Sequence, residues 1–270
     1  MAPQDDIRSS GPVSGLLFDL DGTLIATRRL YLEAFADALE PLLGHRPSHD
    51  EMIARHPRSE VRFLKELTAE AVLGSPTPEV ALPGASSGSD QSGSEGEGGA
   101  PGPDRSTALR AAEEAVLDRF FDSYRRRHTR DFEGVYPGVR RMLELGRERG
   151  LPLGLVTGKS RSSWAITRPL VELGEFHTLV FDDDVPDCKP DPAGLHMAIE
   201  SLELTPAETL YVGDSVTDLE AAVRAGIRPV AVLWSKRPHE REPFRQAALD
   251  RGGEVLRTPD DLARLITRKG

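Results

Sequence analysis

Short apolar runs that each close on glycine or polar residues constrain this chain most. Residues 16–18 run into Asp21-Gly22, 153–156 into Thr157-Gly158, 178–181 into three aspartates and 210–212 into Gly213-Asp214. A fifth run, 230–234, is followed by charged residues. Apolar runs of this length bounded by turn residues read as buried strands. From residue 139 onward they alternate with stretches of helical period at 139–149, 162–173, 193–202 and 216–225. That alternation predicts an α/β fold, with parallel strands and helices covering both faces of the sheet.

Residues 28–133 break the rhythm. Leu30, Ala34, Ala38 and Leu42 form one helical stripe, which Pro41 is expected to end or kink. Val61, Leu64, Thr68 and Ala71 form a second. Leu109, Ala112, Val116, Phe120 and Tyr124 form a third, with Ser106 as its expected N-cap. No strand pattern interrupts them, so the block reads as a helical domain inserted between core segments 1–27 and 134–270. Within it, residues 84–103 are rich in Gly, Ser, Glu and Pro. With almost no apolar residue to offset the entropy of ordering, that stretch reads as a mobile loop.

A chain of 270 residues that is 38% hydrophobic can bury a sizeable core. Its formal net charge of -10 supplies no basic field to gather nucleic acid or an anionic membrane surface. No apolar stretch approaches the roughly 20 residues that span a bilayer. The first 14 residues lack the basic-then-apolar order of a secretory signal, and the cytoplasm is the expected location. Cys188 is the only cysteine, which excludes an intramolecular disulfide and a multi-cysteine metal cluster. With no activating histidine beside it, a passive role is expected. The seven histidines show no ligand spacing and are expected at the surface.

In an open α/β sheet, functional groups collect where the carboxyl ends of the strands converge. Asp19 and Asp21 follow the first run, Thr157 and Gly158 the second, Lys189 the third, and Asp214, Ser215 and Asp218 the fourth. Carboxylates, a hydroxyl and an ammonium would thus share one crevice. Magnesium takes oxygen ligands and typically only one or two carboxylates, a role that suits Asp19 and Asp214. Lys189 and Thr157 would hold phosphate oxygens, with backbone N–H groups near Gly22 and Gly158 as further donors. Asp19 suits a nucleophile, and Asp21, two residues on, a general acid and then base.

The segment Phe18-Asp19-Leu20-Asp21-Gly22-Thr23-Leu24 resembles the first motif of the haloacid dehalogenase superfamily. Leu155-Val156-Thr157-Gly158-Lys159 resembles the second, Lys189-Pro190 the third, and Gly213-Asp214-Ser215 with Asp218 the fourth, in family order. Tyr136-Pro137-Gly138-Val139 and Lys189-Pro190-Asp191-Pro192 are similar to the phosphoglycolate phosphatase-like branch. The resemblance implies a Rossmann-like core, an α-helical cap over the substrate and a magnesium-dependent phosphatase of a small phosphorylated metabolite. It makes Asp19 the nucleophile, Asp21 the acid/base and a carbonyl ligand of the metal, Asp214 a metal ligand, and Asp218 a more distant partner of the metal. Arg58, between the first two cap stripes, would face a substrate carboxylate or second phosphate. Where relatives often carry an aspartate after the first motif, this chain reads Ile25-Ala26-Thr27-Arg28.

Blander and rival readings stand beside these. Asp-Gly is a common turn, Asp214 or Ser215 suits a helix cap, and Lys159 reads as surface charge. A phosphate-binding P-loop needs four residues between its glycines, and Gly154 and Gly158 enclose three. Sugar-phosphate mutases and pyrophosphatases of the superfamily share the core motifs. A phospho-aspartate signalling module would not need Asp21 or the insertion, and dehalogenases usually lack the second aspartate.

Overall fold

The computed structural model describes residues 11–55, 59–74 and 105–267. In chain order the elements are β1 Gly15–Phe18, α1 Arg28–Leu43, α2 His49–Ala54, α3 Glu60–Leu73, α4 Arg105–Asp131, α5 Val139–Glu148, β2 Leu153–Val156 and α6 Arg161–Thr167. β3 Thr178–Val180, α7 Ala193–Leu202, β4 Thr209–Gly213, α8 Val216–Arg224, β5 Arg228–Val232, α9 Pro238–Asp250, β6 Glu254–Leu256 and α10 Leu262–Thr267 follow.

The six strands form one parallel sheet in the order β3-β2-β1-β4-β5-β6. Every residue of β1 is buried, and successive side chains enter opposite layers: Leu16 and Phe18 join one core cluster and Leu17 the other. That is the period-two geometry of a strand covered on both faces. The chain proceeds outward from β1 through β2 to β3, then returns to place β4 on the other side of β1. The switch point therefore falls beside β1 and β4, where an open α/β sheet holds its crevice.

The five expected strands and the helices between them are present, with shifted ends. The fifth strand ends at Val232 instead of 234, and the helix expected over 162–173 stops at Thr167, with a single 3-10 turn at Arg168–Leu170 around Pro169. The elements α9, β6 and α10 were not foreseen. β6 is three residues long and α9 buries only Phe244 and Ala248, so neither carries a strong periodic signal.

The insertion is helical, with its own core. Phe35, Phe63, Leu64, Phe120 and Tyr124 are buried, and Phe35 stacks on Phe120 at 5.3 Å. Pro41 does not end α1, which runs on to Leu43 and stops at left-handed Gly44. A proline this near the C-terminus withholds only the donor to the Asp37 carbonyl. Ser106 lies inside the first turn of α4 rather than capping it. The short α2 was missed, although Ser48-His49-Asp50-Glu51 spells the capping box that starts it. The expected mobile loop 84–103 lies outside the described residues. Among the described residues no helix is long and apolar enough to cross a membrane.

The insertion is tied to the core by polar contacts. Arg28 pairs with Glu240 through two bonds of 3.0 and 2.8 Å. Ser59 and Arg62 both donate to buried Asp182, and Arg62 also reaches the carbonyls of Val185 and Pro186. The acidic loop after β3 thus docks the N-terminus of α3.

Candidate active site

Asp19 leaves β1 still in sheet register, its N–H donating to the Val212 carbonyl at 2.9 Å. Its side chain is buried. Oδ1 accepts from Lys189 Nζ at 2.7 Å and Oδ2 from the Thr23 hydroxyl at 3.3 Å. Lys189 also donates to Asp218 Oδ1 at 2.7 Å and lies 2.9 Å from the Tyr211 hydroxyl. One buried ammonium therefore serves two buried carboxylates. Burial, followed by the negative charges of Asp218 and Asp214, pushes the Asp19 carboxyl up to about 8 against the pull of Lys189. Lys189 is held well above the ordinary lysine range, because Asp19 and Asp218 outweigh its burial.

Asp214 stands at the carboxyl end of β4, with Oδ2 accepting from Lys236 Nζ at 2.7 Å. A side chain at Gly22 would collide with it: an added Cβ would sit 2.5 Å from Asp214 Oδ2, and the φ of +84° is one that L residues rarely adopt. The Gly22 N–H donates to the Ile25 carbonyl at 2.9 Å. Its own N–H is thus engaged within the turn, and its lack of a side chain leaves room for Asp214. Gly22→Ala is expected to lower kcat/KM by about 100-fold, since displacing one catalytic group by an ångström costs that much. Steady-state kinetics on the purified variant, with its melting curve, check this.

Asp218 is buried and fully engaged. Oδ1 holds Lys189, and Oδ2 accepts from the Ser215 N–H at 2.9 Å and its hydroxyl at 2.6 Å. Ser215 caps α8 in return, so the cap reading holds for Ser215 and not for Asp214. Thr157 Oγ1 accepts from the Lys159 N–H at 3.2 Å, which leaves its hydroxyl proton to donate into the crevice. Gly158 lines the same crevice.

Asp21 is held by the core and the insertion together. Oδ1 accepts from the Thr27 hydroxyl at 2.7 Å and lies 3.3 Å from Lys159 Nζ, while Oδ2 has the Tyr31 hydroxyl at 3.4 Å. Thr27, in the segment where relatives often carry an acid, is thus a donor to Asp21. Lys159 is not surface charge: its side chain is wholly buried beneath Tyr31 and Tyr124. His128 is likewise buried, hydrogen-bonded at both ring nitrogens, and burial pushes it down to about 4. Both departures have one cause. α1 and α4 pack on the turn after β2, which covers Lys159, and α4 packs on α6 at Thr167, which covers His128, in both cases a contact between residues far apart in sequence. Arg58 lies outside the described residues.

The crevice is a cavity of about 390 Å³, in the range of small-molecule sites. Asp19, Asp21, Thr157, Lys189 and Asp214 form its floor, and Tyr31, Leu32, Phe35, Ile53 and Glu60 its insertion side. Sequence reasoning missed Lys236 and Glu240. Lys236 follows the fifth apolar run, where the same strand-end rule, extended one strand further, finds it. Glu240 carries no such signal. One oxygen each from Asp19, Asp214 and Asp218 lie within 4.8 Å of one another. An all-oxygen, three-carboxylate set with one strongly raised pKa suits a hard divalent cation.

The model of the haloacid dehalogenase-like hydrolases matches residues 13–226. The chain belongs to that hydrolase family. It is 33% identical over 136 residues to a phosphoglycolate phosphatase of Pseudomonas putida, a match covering 50% of this chain and 49% of that relative. The matched stretch thus spans about half the length of such relatives. Identity to the pyrophosphatase PpaX of Anoxybacillus flavithermus is 25% over 236 residues, covering 84% and 87% of the two chains. The crystal structure of a predicted phosphoglycolate phosphatase from Haemophilus somnus shares the fold, with a TM-score of 0.66 at 18% identity over 94% of this chain and 97% of that one.

Proposed function

We propose that this hydrolase is a magnesium-dependent phosphatase that cleaves a small phosphomonoester through a phospho-aspartate on Asp19. The observation that carries the reading is the pair Asp19 and Asp21 opening on one cavity, with Lys189 and Thr157 beside them. An Asp19 oxygen attacks phosphorus as the bond to the leaving oxygen breaks, and Asp21 delivers its proton to that oxygen. Asp21, now ionised, takes a proton from the water that attacks the phospho-aspartate, which restores Asp19 and releases phosphate. Lys189 and the Thr157 hydroxyl orient the phosphoryl oxygens. Asp19, Asp214 and the Asp21 carbonyl would hold magnesium, with Asp218 behind them through Lys189. When bound, the metal supplies positive charge that offsets repulsion between carboxylate and phosphoryl group.

Purified protein should release phosphate from 2-phosphoglycolate or p-nitrophenyl phosphate with magnesium and stop on chelation. Acid quenching during turnover should trap label on Asp19. Turnover of pyrophosphate alone, or return of the phosphoryl group to a sugar without free phosphate, would instead identify a pyrophosphatase or a mutase. A label that persists for hours would identify a signalling module. The motif position of Arg58 further proposes it as the partner of a substrate carboxylate. Arg58→Ala is expected to raise KM for 2-phosphoglycolate by about 10-fold or more, as loss of a charge-assisted bond would, with little change for p-nitrophenyl phosphate. Equal effects on both substrates remove Arg58 from recognition.

A further inference from the structure

Lys236 is not used by the chemistry above. The turn that carries it, between β5 and α9, is fixed on both sides. Trp234 Nε1 donates to the Thr23 carbonyl at 2.9 Å, the Lys236 N–H donates to the Leu233 carbonyl at 3.2 Å, and the Lys236 carbonyl accepts from Arg241 Nε at 3.1 Å. The lysine side chain is largely buried, and Nζ lies over the Phe244 ring, 4.9 Å from its centroid. Glu240, the other acid whose charge it feels, is already engaged by Arg28 through two bonds. The ammonium therefore settles on Asp214 Oδ2 at 2.7 Å, in the crevice that both residues line.

The consequence is electrostatic. Asp19, Asp214 and Asp218 each place an oxygen within 4.8 Å of the others. Lys189 lies 2.7 Å from Asp19 and from Asp218, so Lys236 brings a second ammonium to a set of three carboxylates. A carboxylate that already holds an ammonium gives up or shares that contact when it takes a metal, and in a site largely shielded from water the fixed positive charge repels the incoming one. We propose that Lys236 is a resident counter-cation at Asp214, competing with magnesium for that carboxylate and lowering the affinity of the site, an inference that rests on the metal role given above to Asp19 and Asp214. Lys236 then sets the magnesium concentration at which the protein loads.

The test is magnesium binding to substrate-free protein. Parent and variants are titrated with magnesium chloride at constant pH and ionic strength, and the dissociation constant is read by calorimetry and by the rise in Tm. Lys236→Gln removes the charge and keeps an N–H donor for Asp214, whereas Lys236→Arg keeps the charge. Lys236→Gln is expected to bind magnesium about 10-fold more tightly than the parent, the scale of one unit charge removed from beside a partly buried cation, and Lys236→Arg to stay within about 2-fold of it. Unchanged or weaker binding in Lys236→Gln overturns the proposal, weaker binding making Lys236 an aligning residue for Asp214. An equal gain in Lys236→Arg overturns it too, because charge would not be the cause. Should Lys236→Gln fail to fold, Lys236→Met takes its place with the same expected gain. Asp214→Asn tests the metal role itself. If that variant binds magnesium as the parent does, Asp214 is not a ligand, and the proposal falls with that reading. If Asp214→Asn loses binding while Lys236→Gln gains none, the ligand stands and only the proposal falls.

Discussion

Asp19→Asn is expected to abolish phosphate release, by about 10⁴-fold or more as loss of a nucleophile does, while leaving the metal-free protein more stable than its parent. The two effects share one origin. Asp19 is buried beside Asp214 and Asp218, and that setting pushes its carboxyl from 3.8 up to about 8. The folded state then binds more protons than the unfolded state between those values, so its stability falls as pH rises through that window. An asparagine does not titrate, and Lys189 keeps Asp218 as its partner. Melting curves in chelator should therefore converge near pH 4 and separate in favour of the variant toward pH 8. Magnesium should reverse the order at pH 8, because a cation that binds only the native parent stabilises it by mass action. If the parent were the more stable at pH 8 in chelator, the buried carboxylates would not be repelling one another as described.

Lys189→Met should have the largest effect on stability. The ammonium contacts Asp19 and Asp218 at 2.7 Å each, and removing it leaves two buried carboxylates facing one another. Breaking a buried ion pair from one side costs about 3–5 kcal/mol, which for a chain of this size lowers Tm by roughly 10 °C. Activity should disappear with it, since in the proposed reaction Lys189 both orients the nucleophile and faces the phosphoryl oxygens. Adding Asp19→Asn should recover part of the lost stability, because only Asp218 then lacks its counter-charge. That departure from additivity, of order 1 kcal/mol for groups in contact, is measurable by chemical denaturation. Simple additivity would mean that the two carboxylates do not share Lys189.

The departures from expectation are not scattered. Asp19, Asp21, Thr157, Lys189 and Asp214 were legible because each follows an apolar run, and parallel strands bring such positions to one edge whatever the rest of the chain does. Lys159 has the same address and was still misread. Its burial depends on Tyr31 and Tyr124, which are 128 and 35 residues away, and no local pattern encodes them. His128 is buried for the same reason, between α4 and α6. Gly22 was legible as a turn glycine, but its close approach to Asp214 across the crevice was not.

By itself, then, the sequence determined the α/β class, the helical insertion, the order of the strand-end motifs and the principal groups on the cavity floor. Those follow from periodicity and from strand ends, which are local properties of the chain. Only the tertiary structure decided how charge is balanced there: one lysine shared by two carboxylates, Lys236 on Asp214, and Lys159 sealed under the insertion against Asp21. Burial and pairing are set by what packs on a residue from elsewhere in the chain, and at this site that partner is most often more than twenty residues away.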